Sequence, residues 1–221
     1  MKKIWIRGLA SKTMLFFVVC IMIGCFHEAD HLNPEGRVAF NYAMDLWSNG
    51  DRQGAIAAFN KAGELTSADK WEAFARYCIS EIYLEMGDDG NSQAALAAAK
   101  AKLGPLYEVV AAAGECFWEL DLLEDARIEF RKALKGGLGG ERRVEISYEL
   151  GMVCTELGYL DEAQAQYRHI LNPQFPKAYR GYAILLDRMG RRSDANENWR
   201  LYLEHDPNGE FADEARRRLG M

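Results

Sequence analysis

Five stretches of the sequence repeat one spacing of small and bulky residues. The clearest copy contains Gly114, Phe117, Ala126, Phe130 and Ala133, which are separated by intervals of 3, 9, 4 and 3 residues. Intervals of 3 and 4 keep side chains on one face of a helix. The longer interval crosses a turn, so each copy predicts two helices joined by a short connection. One helix pair cannot bury its apolar face alone, and the pairs must therefore stack on one another.

The other copies keep these intervals or depart from them in one place. The complete copies contain Ala43, Leu46, Ala55, Phe59 and Ala62; Gly151, Cys154, Ala163, Tyr167 and Ile170; and Ala183, Leu186, Ala195, Trp199 and Tyr202. The second copy is rich in alanine, and we assign to it Ser80, Tyr83, Ala94, Ala98 and Ala101, with two residues inserted in the loop 88–93. The copies recur about every 34 residues, which is typical of a helical repeat array.

The pattern resembles the tetratricopeptide repeat (TPR), most clearly in GECFWELDLLEDARIEFRKAL and GMVCTELGYLDEAQAQYRHIL, which begin at Gly114 and Gly151. The resemblance covers about residues 36–209. It implies an all-α fold, a right-handed α-solenoid of about five helix pairs, within a domain of residues 35–221. Residues at about 210–219 (EFADEARRRL) are expected to form a capping helix.

The resemblance also implies a partner-binding groove, because the first helices of TPR proteins line a concave face. Aligned on the repeat, the groove residues of the first four copies are Phe40, Met44, Trp47, Phe74, Tyr77, Glu81, Glu85, Glu115, Trp118, Glu119, Tyr148, Met152 and Glu156. Aromatic and methionine side chains among glutamates suit a protein or peptide partner with apolar anchors and basic flanks. The alternative is that some of these aromatics belong to the core between repeats and that the glutamates form a solvated face.

The charge and residue inventory excludes several classes of function. Residues 1–24 hold four basic residues and no acidic one, so the remainder carries 23 basic against 33 acidic residues, or −10. Such a chain is repelled by phosphate backbones, which argues against nucleic-acid binding. The four histidines lack metal-ligand spacing, and no serine stands in a nucleophile motif. We therefore expect no enzyme activity, no cofactor, no metal site and no small-molecule substrate.

Three cysteines of the repeat region, Cys78, Cys116 and Cys154, are spaced 38 residues apart. The regular spacing raises the question of a metal site or a disulfide. Cysteine is also a small residue that is often buried as a hydrophobe. We favour core packing for all three and keep the disulfide and the metal ligand as alternatives.

The N-terminus has the features of a lipoprotein signal. Residues 1–12 are basic and residues 14–23 form an apolar run, which is about half the length of a membrane-spanning helix. The junction Met22-Ile23-Gly24-Cys25 resembles the bacterial lipobox, which implies cleavage after Gly24, lipidation of Cys25 and a tether up to residue 34. An uncleaved signal anchor is the alternative, and Cys20 is a poorer lipidation site because bulky Val19 precedes it. Since Phe26 rather than aspartate follows Cys25, the resemblance favours the outer membrane, facing the periplasm.

Two classes of function fit these features. The first is a non-enzymatic interaction scaffold, anchored by lipid to the bacterial envelope, whose groove binds a partner and helps to assemble an envelope complex. The second is an accessory subunit that positions a catalytic partner in a cell-wall or secretion complex.

Overall fold

The structure is a computed structural model, and it describes residues 32–221. These residues form eleven α-helices and no strand. The first helices of five successive pairs are α1 (Pro34–Ser48), α3 (Asp69–Glu85), α5 (Leu106–Glu119), α7 (Gly140–Leu157) and α9 (Lys177–Arg188). The second helices are α2 (Arg52–Glu64), α4 (Asp89–Leu103), α6 (Leu123–Lys135), α8 (Leu160–Ile170) and α10 (Arg192–His205), and α11 (Ala212–Leu219) follows. The predicted signal peptide, Cys25 and the tether up to residue 31 lie outside the described residues.

Small residues let the two helices of a pair approach closely. A Cβ atom at Gly114 would lie 2.5 Å from the Phe130 ring, and one at Gly151 would lie 2.8 Å from the Tyr167 ring. Because real Cβ atoms do not approach ring carbons so closely, a larger residue at either position would force the pair apart. The small-to-aromatic interval of the sequence is therefore the contact between the first and second helix of a pair.

Aromatic rings join neighbouring pairs into one core. The Phe40 ring of α1 lies 5.1 Å from Trp71 and 5.4 Å from Phe74, both on α3. The Phe74 ring in turn meets Phe117 of α5 edge to face at 4.9 Å. Such contacts between aromatic rings add stability beyond the area that they bury. The core therefore runs through successive pairs, as the repeat predicts.

The structure changes which residues of α4 belong to the repeat spacing in the second repeat. Ala94, Ala98 and Ala101 of α4 are exposed, whereas Ser92 and Ala99 are buried and Leu96 packs partly against the core. With Ser80 and Tyr83 of α3, these three residues restore the intervals of 3, 9, 4 and 3. The second copy therefore has no inserted residues, and the predicted insertion in the loop 88–93 is wrong.

The last helix, α11, covers the apolar end of the fifth pair. Phe211, Ala212 and Ala215 are buried against Trp199 and Tyr202 of α10. Arg180 of α9 lies 3.9 Å above the Phe211 ring and donates to Glu214 of α11 at 2.8 Å. The helix thus supplies both apolar cover and a charged hydrogen bond. Together, the stacked pairs confirm the all-α fold class and form an α-solenoid.

Candidate functional site

Three residues predicted for the partner groove lie inside the fold instead. Phe40, Phe74 and Tyr77 are 0%, 1% and 4% exposed. Their side chains fill the space between the first and third helix pairs, so they have no surface with which to contact a partner. For these residues the core alternative of the sequence analysis is correct, because Phe40 and Phe74 pack against rings of neighbouring pairs and Tyr77 reaches the third pair.

Tyr77 also has a polar role in the core. Its hydroxyl donates to Glu129 Oε2 of α6 at 2.8 Å, and Lys132 Nζ bonds the other oxygen of Glu129 at 2.7 Å. Burial raises the pKa of the Tyr77 hydroxyl, and the nearby Glu129 carboxylate raises it further. Tyr77 therefore stays protonated and holds α3 to α6.

Tyr148, on α7, is half-buried and committed to contacts within the chain. Its hydroxyl accepts a hydrogen bond from Arg180 Nη1 at 3.0 Å, and its ring lies 5.8 Å from Phe175. Arg180 is the residue that also bonds α11. Tyr148 therefore connects the fourth repeat to the C-terminal helix rather than standing free in a groove.

The remaining predicted residues keep some exposed surface on the first helices. Met44 and Trp47 on α1, Trp118 on α5 and Met152 on α7 are half-buried and pack one side against the core. Trp47 meets Phe59 of α2 edge to face at 6.0 Å. We call the exposed sides of these four residues the first-helix face.

The glutamates of the prediction differ in their partners. Glu85 forms an exposed ion pair with Arg52 at 3.3 Å, and Glu81 on α3 is half-buried. Glu156 at the end of α7 retains solvent contact, yet partial burial raises the pKa of its carboxyl, Asp121 raises it further and Arg188 opposes the rise. Like charges close to a carboxyl disfavour its ionised form. Glu156 and Asp121 therefore repel each other at one end of the first-helix face.

Glu115 and Glu119 are paired with cations of the chain itself, which sequence reasoning missed. Lys70 of α3 lies 2.7 Å from Glu119 Oε1 and 3.8 Å from Glu115 Oε2. Arg142 of α7 donates through Nη2 to Glu115 Oε1 at 2.5 Å. The charges of these two predicted groove glutamates are thus neutralised within the chain. The ion pairs also connect the second, third and fourth repeats.

A further carboxylate near these pairs, Glu149 of α7, was also missed. Its Oε2 atom is closed to solvent and has no hydrogen-bond partner among the described residues. Burial raises the pKa of Glu149, nearby Glu115 raises it further, and Arg142 opposes the rise. Spacing offered one signal, because Glu149 lies three residues before Met152 and so shares its helix face.

The cysteines lie in the core. Cys78, Cys116 and Cys154 are free thiols and fully buried. Burial raises the pKa of Cys154 to about 12, and it raises the pKa of Cys78 and Cys116 as well. The three thiols are therefore protonated at neutral pH and are poor nucleophiles.

Two further kinds of feature are absent from the described part of the chain. No group of three or more histidine, cysteine or acidic side chains in residues 32–221 could hold a metal ion. Within the same range, no helix combines the length and apolar character that a membrane crossing requires.

Comparison with known proteins bears on the fold. The family model described as tetratricopeptide repeat matches residues 144–172, which include most of α7 and all of α8. No curated protein matches the sequence. Among solved structures, YrrB, described as a TPR protein with an unusual peptide-binding site, is 20% identical, with a TM-score of 0.48 over 81% of this chain and 90% of YrrB. PilW, described as a type IV pilus biogenesis factor, is 20% identical, with a TM-score of 0.48 over 86% of this chain and 88% of PilW.

A chain of the APC/C hetero-tetramer Cut9–Hcn1 is also similar in fold. It is 16% identical, with a TM-score of 0.50 over 83% of this chain and 36% of that chain. At such identities the similarity concerns the fold alone. The part of the chain that the structure describes thus has the α-solenoid fold of tetratricopeptide-repeat proteins, and residues 144–172 are identified as one such repeat.

Proposed function

We propose that the chain is a non-enzymatic scaffold that binds a protein or peptide partner on its first-helix face. The observation that carries the proposal is Trp118. The residues of α5 from Val109 to Phe117 are all buried, whereas Trp118 keeps exposed surface although it is the largest side chain of the helix. Large aromatic side chains that are partly exposed are the commonest energetic anchors of protein interfaces.

Two further features support binding rather than catalysis. Met44, Trp47 and Met152 also present apolar surface on first helices, and methionine adapts to partners of different shape. The three cysteines of residues 32–221 are buried with raised pKa values, so none of these three thiols is available as a nucleophile. The partner we expect has apolar anchors and a basic residue.

Site-specific photo-crosslinking tests the binding face. Benzoylphenylalanine replaces Trp118 in one variant and Ile128, which is 45% exposed on the second helix α6, in the control variant. We expect one dominant crosslinked partner from position 118 and none from position 128. Equal crosslinking from both positions would show that the first-helix face is not special.

The partner identified in that way then allows an affinity measurement. Trp118→Ala should weaken its binding by at least about five-fold, or about 1 kcal/mol, in a variant that stays fully folded at the temperature of the assay. If Trp118 is only a packing residue, its loss lowers the melting temperature and changes affinity only through unfolding. A folded variant with unchanged affinity would contradict the proposed binding face.

We also propose that the scaffold is anchored to the bacterial envelope through lipid on Cys25. The basic and apolar residues before Gly24-Cys25 support this proposal, and two or more acyl chains are needed for stable anchoring. Cys25→Ser should leave the precursor unprocessed and the protein unlipidated, whereas Cys20→Ser should change neither. An unmodified mature N-terminus elsewhere, found by mass spectrometry, would contradict the anchor.

A further inference from the structure

Five charged side chains from three first helices form a cluster beside the first-helix face. Lys70 comes from α3, Glu115 and Glu119 from α5, and Arg142 and Glu149 from α7. Lys70, Glu115 and Glu119 keep only 10% to 14% of their side-chain surface exposed. Charges so poorly hydrated interact more strongly than charges in water.

The cations of this charged cluster are already engaged. Arg142 bonds Glu115 through Nη2, while its Nε lies 3.4 Å from Glu108 and its Nη1 lies 3.3 Å from Glu145. Lys70 is held by Glu119 at 2.7 Å. The buried Oε2 atom of Glu149 has no hydrogen-bond donor among the described residues, these two cations included.

Glu149 therefore leaves the charged cluster short of one cation. Three carboxylates face two cations, which gives a formal charge of −1 before the more exposed Glu108 and Glu145 are counted. A buried carboxylate oxygen without a donor costs free energy, and a positive charge placed beside it would recover that cost. The residue as a whole is half-buried and lies three positions before Met152, on the side of α7 that contributes to the first-helix face.

We propose that the charged cluster binds one lysine or arginine side chain of the partner, seated against Glu149. The inference rests on the proposed function, since it names the chemistry of a partner already assigned to this face. Trp118 lies one turn after Glu115 on α5 and provides an apolar surface for the aliphatic stem of the incoming side chain. Charge complementarity selects a basic residue over a neutral one of the same length.

The competing explanation is that Glu149 binds a proton and has no ligand. A protonated Glu149 would be neutral, and a neutral group gives no preference for a basic side chain. The two explanations therefore differ in what the intact protein prefers to bind.

Peptide libraries with one fixed central position provide the test. The flanking positions contain equal amounts of alanine, leucine, phenylalanine and serine, and the centre is lysine, arginine or norleucine, which matches the lysine stem without its charge. The libraries are passed over the immobilised full chain, and the retained peptides are quantified by mass spectrometry. We expect the wild type to retain the lysine and arginine libraries at least about five-fold better than the norleucine library.

Variants on the same helix assign the preference to one carboxylate. Glu149→Gln should abolish the preference, and Glu149→Asp, which keeps the charge, should retain part of it. Glu141→Gln is the matched control, because Glu141 is an exposed residue of α7; it should behave as the wild type does. Circular dichroism of each variant checks the fold, and the comparison of lysine with norleucine on the wild type does not depend on any variant.

The outcomes separate the two proposals. Equal retention of all libraries by the wild type would overturn the basic-residue site and leave partner binding intact. A preference that survives Glu149→Gln would also overturn the site. No retention of any library would count against peptide binding on the first-helix face, and the basic-residue site would fail with it.

Discussion

Asp121 occupies, at φ 65°, the left-handed backbone position that Gly158 occupies at φ 86° in the next repeat. Both residues lie just after the first helix of their pair: Gly158 follows α7 directly, and Asp121 follows α5 after one residue, Leu120. A Cβ atom in this conformation crowds the backbone, by about 1–2 kcal/mol for most residues, although asparagine and aspartate tolerate it better. Asp121 adds repulsion with Glu156. The third repeat therefore turns at the same place as the fourth, at a higher energetic cost.

Asp121→Gly should stabilise the protein. Glycine adopts positive φ without a Cβ clash, and the change removes a negative charge close to Glu156. We expect the free energy of unfolding to rise by a few tenths to about 1 kcal/mol, measured by urea denaturation. The reciprocal change, Gly158→Asp, should lower it by a similar amount. A loss of stability in Asp121→Gly would mean that the aspartate makes a stabilising contact that outweighs its backbone strain.

The corrected register of the second repeat can be tested with two adjacent alanines of α4. Ala99 is fully buried and Ala98 is exposed. Ala99→Leu should overpack the helix pair and lower the free energy of unfolding by about 1–3 kcal/mol. Ala98→Leu, the matched control, should change it by less than about 0.5 kcal/mol. The opposite ranking in denaturation curves would restore the insertion in the loop 88–93.

Glu149 should make stability depend on pH. Its pKa is raised above the ordinary 4.5 by burial and by the carboxylates of Glu115 and Glu145, against the attraction of Arg142 and Lys70. At pH values between 4.5, the ordinary pKa of the unfolded state, and the raised pKa of the folded state, the folded state binds more protons than the unfolded state. The contribution of Glu149 to the free energy of unfolding therefore falls as pH rises through that window.

Glu149→Gln should remove that dependence. At about pH 7.5 the variant should melt at least about 2 °C above the wild type, since about 1 kcal/mol shifts a domain of this size by roughly 2–4 °C. At about pH 3, well below the ordinary pKa of 4.5, the carboxyl is protonated in both states, so the two proteins should melt alike. A variant that is less stable than the wild type at neutral pH would show that the ionised carboxylate has a donor after all.

Removal of Arg142 should destabilise the join between the third and fourth repeats. Without the guanidinium, Glu115 loses its cation on α7, and Glu149 loses the stronger of the two cationic interactions that oppose the rise of its pKa. We expect Arg142→Met to lower the free energy of unfolding by about 2–4 kcal/mol. Arg52→Met, which breaks the exposed pair with Glu85, should lower it by no more than about 1 kcal/mol. Similar losses in the two variants would show that the charged cluster is solvated.

The helix pairs and their order follow from local patterns that the sequence displays directly. A glycine or alanine sixteen positions before the aromatic residue of the second helix marks the close approach of the two helices, as Gly114 does for Phe130. These contacts join helices that are adjacent along the chain, so residue spacing is sufficient to find them. The second pair is the exception. Its run of alanines places a small residue at nearly every position, so spacing cannot choose a register, and packing against α3 selects Ser92 and Ala99.

Which side chains of the first helices are accessible to a partner could be determined only from the folded chain. Whether Phe74 lines a groove or fills the core depends on how closely α3 approaches α5. The Phe74 ring of α3 lies 4.9 Å from the Phe117 ring of α5, so Phe74 fills the core. Likewise, the cations that neutralise Glu115 and Glu119 lie 27 and 49 residues away in sequence. No local pattern relates groups so far apart, because their distance is determined by the rotation of one helix pair on the next. The repeat thus predicted the architecture, and tertiary packing decided that Glu115 and Glu119 pair with cations of the chain while the Oε2 atom of Glu149 has no hydrogen-bond donor among the described residues.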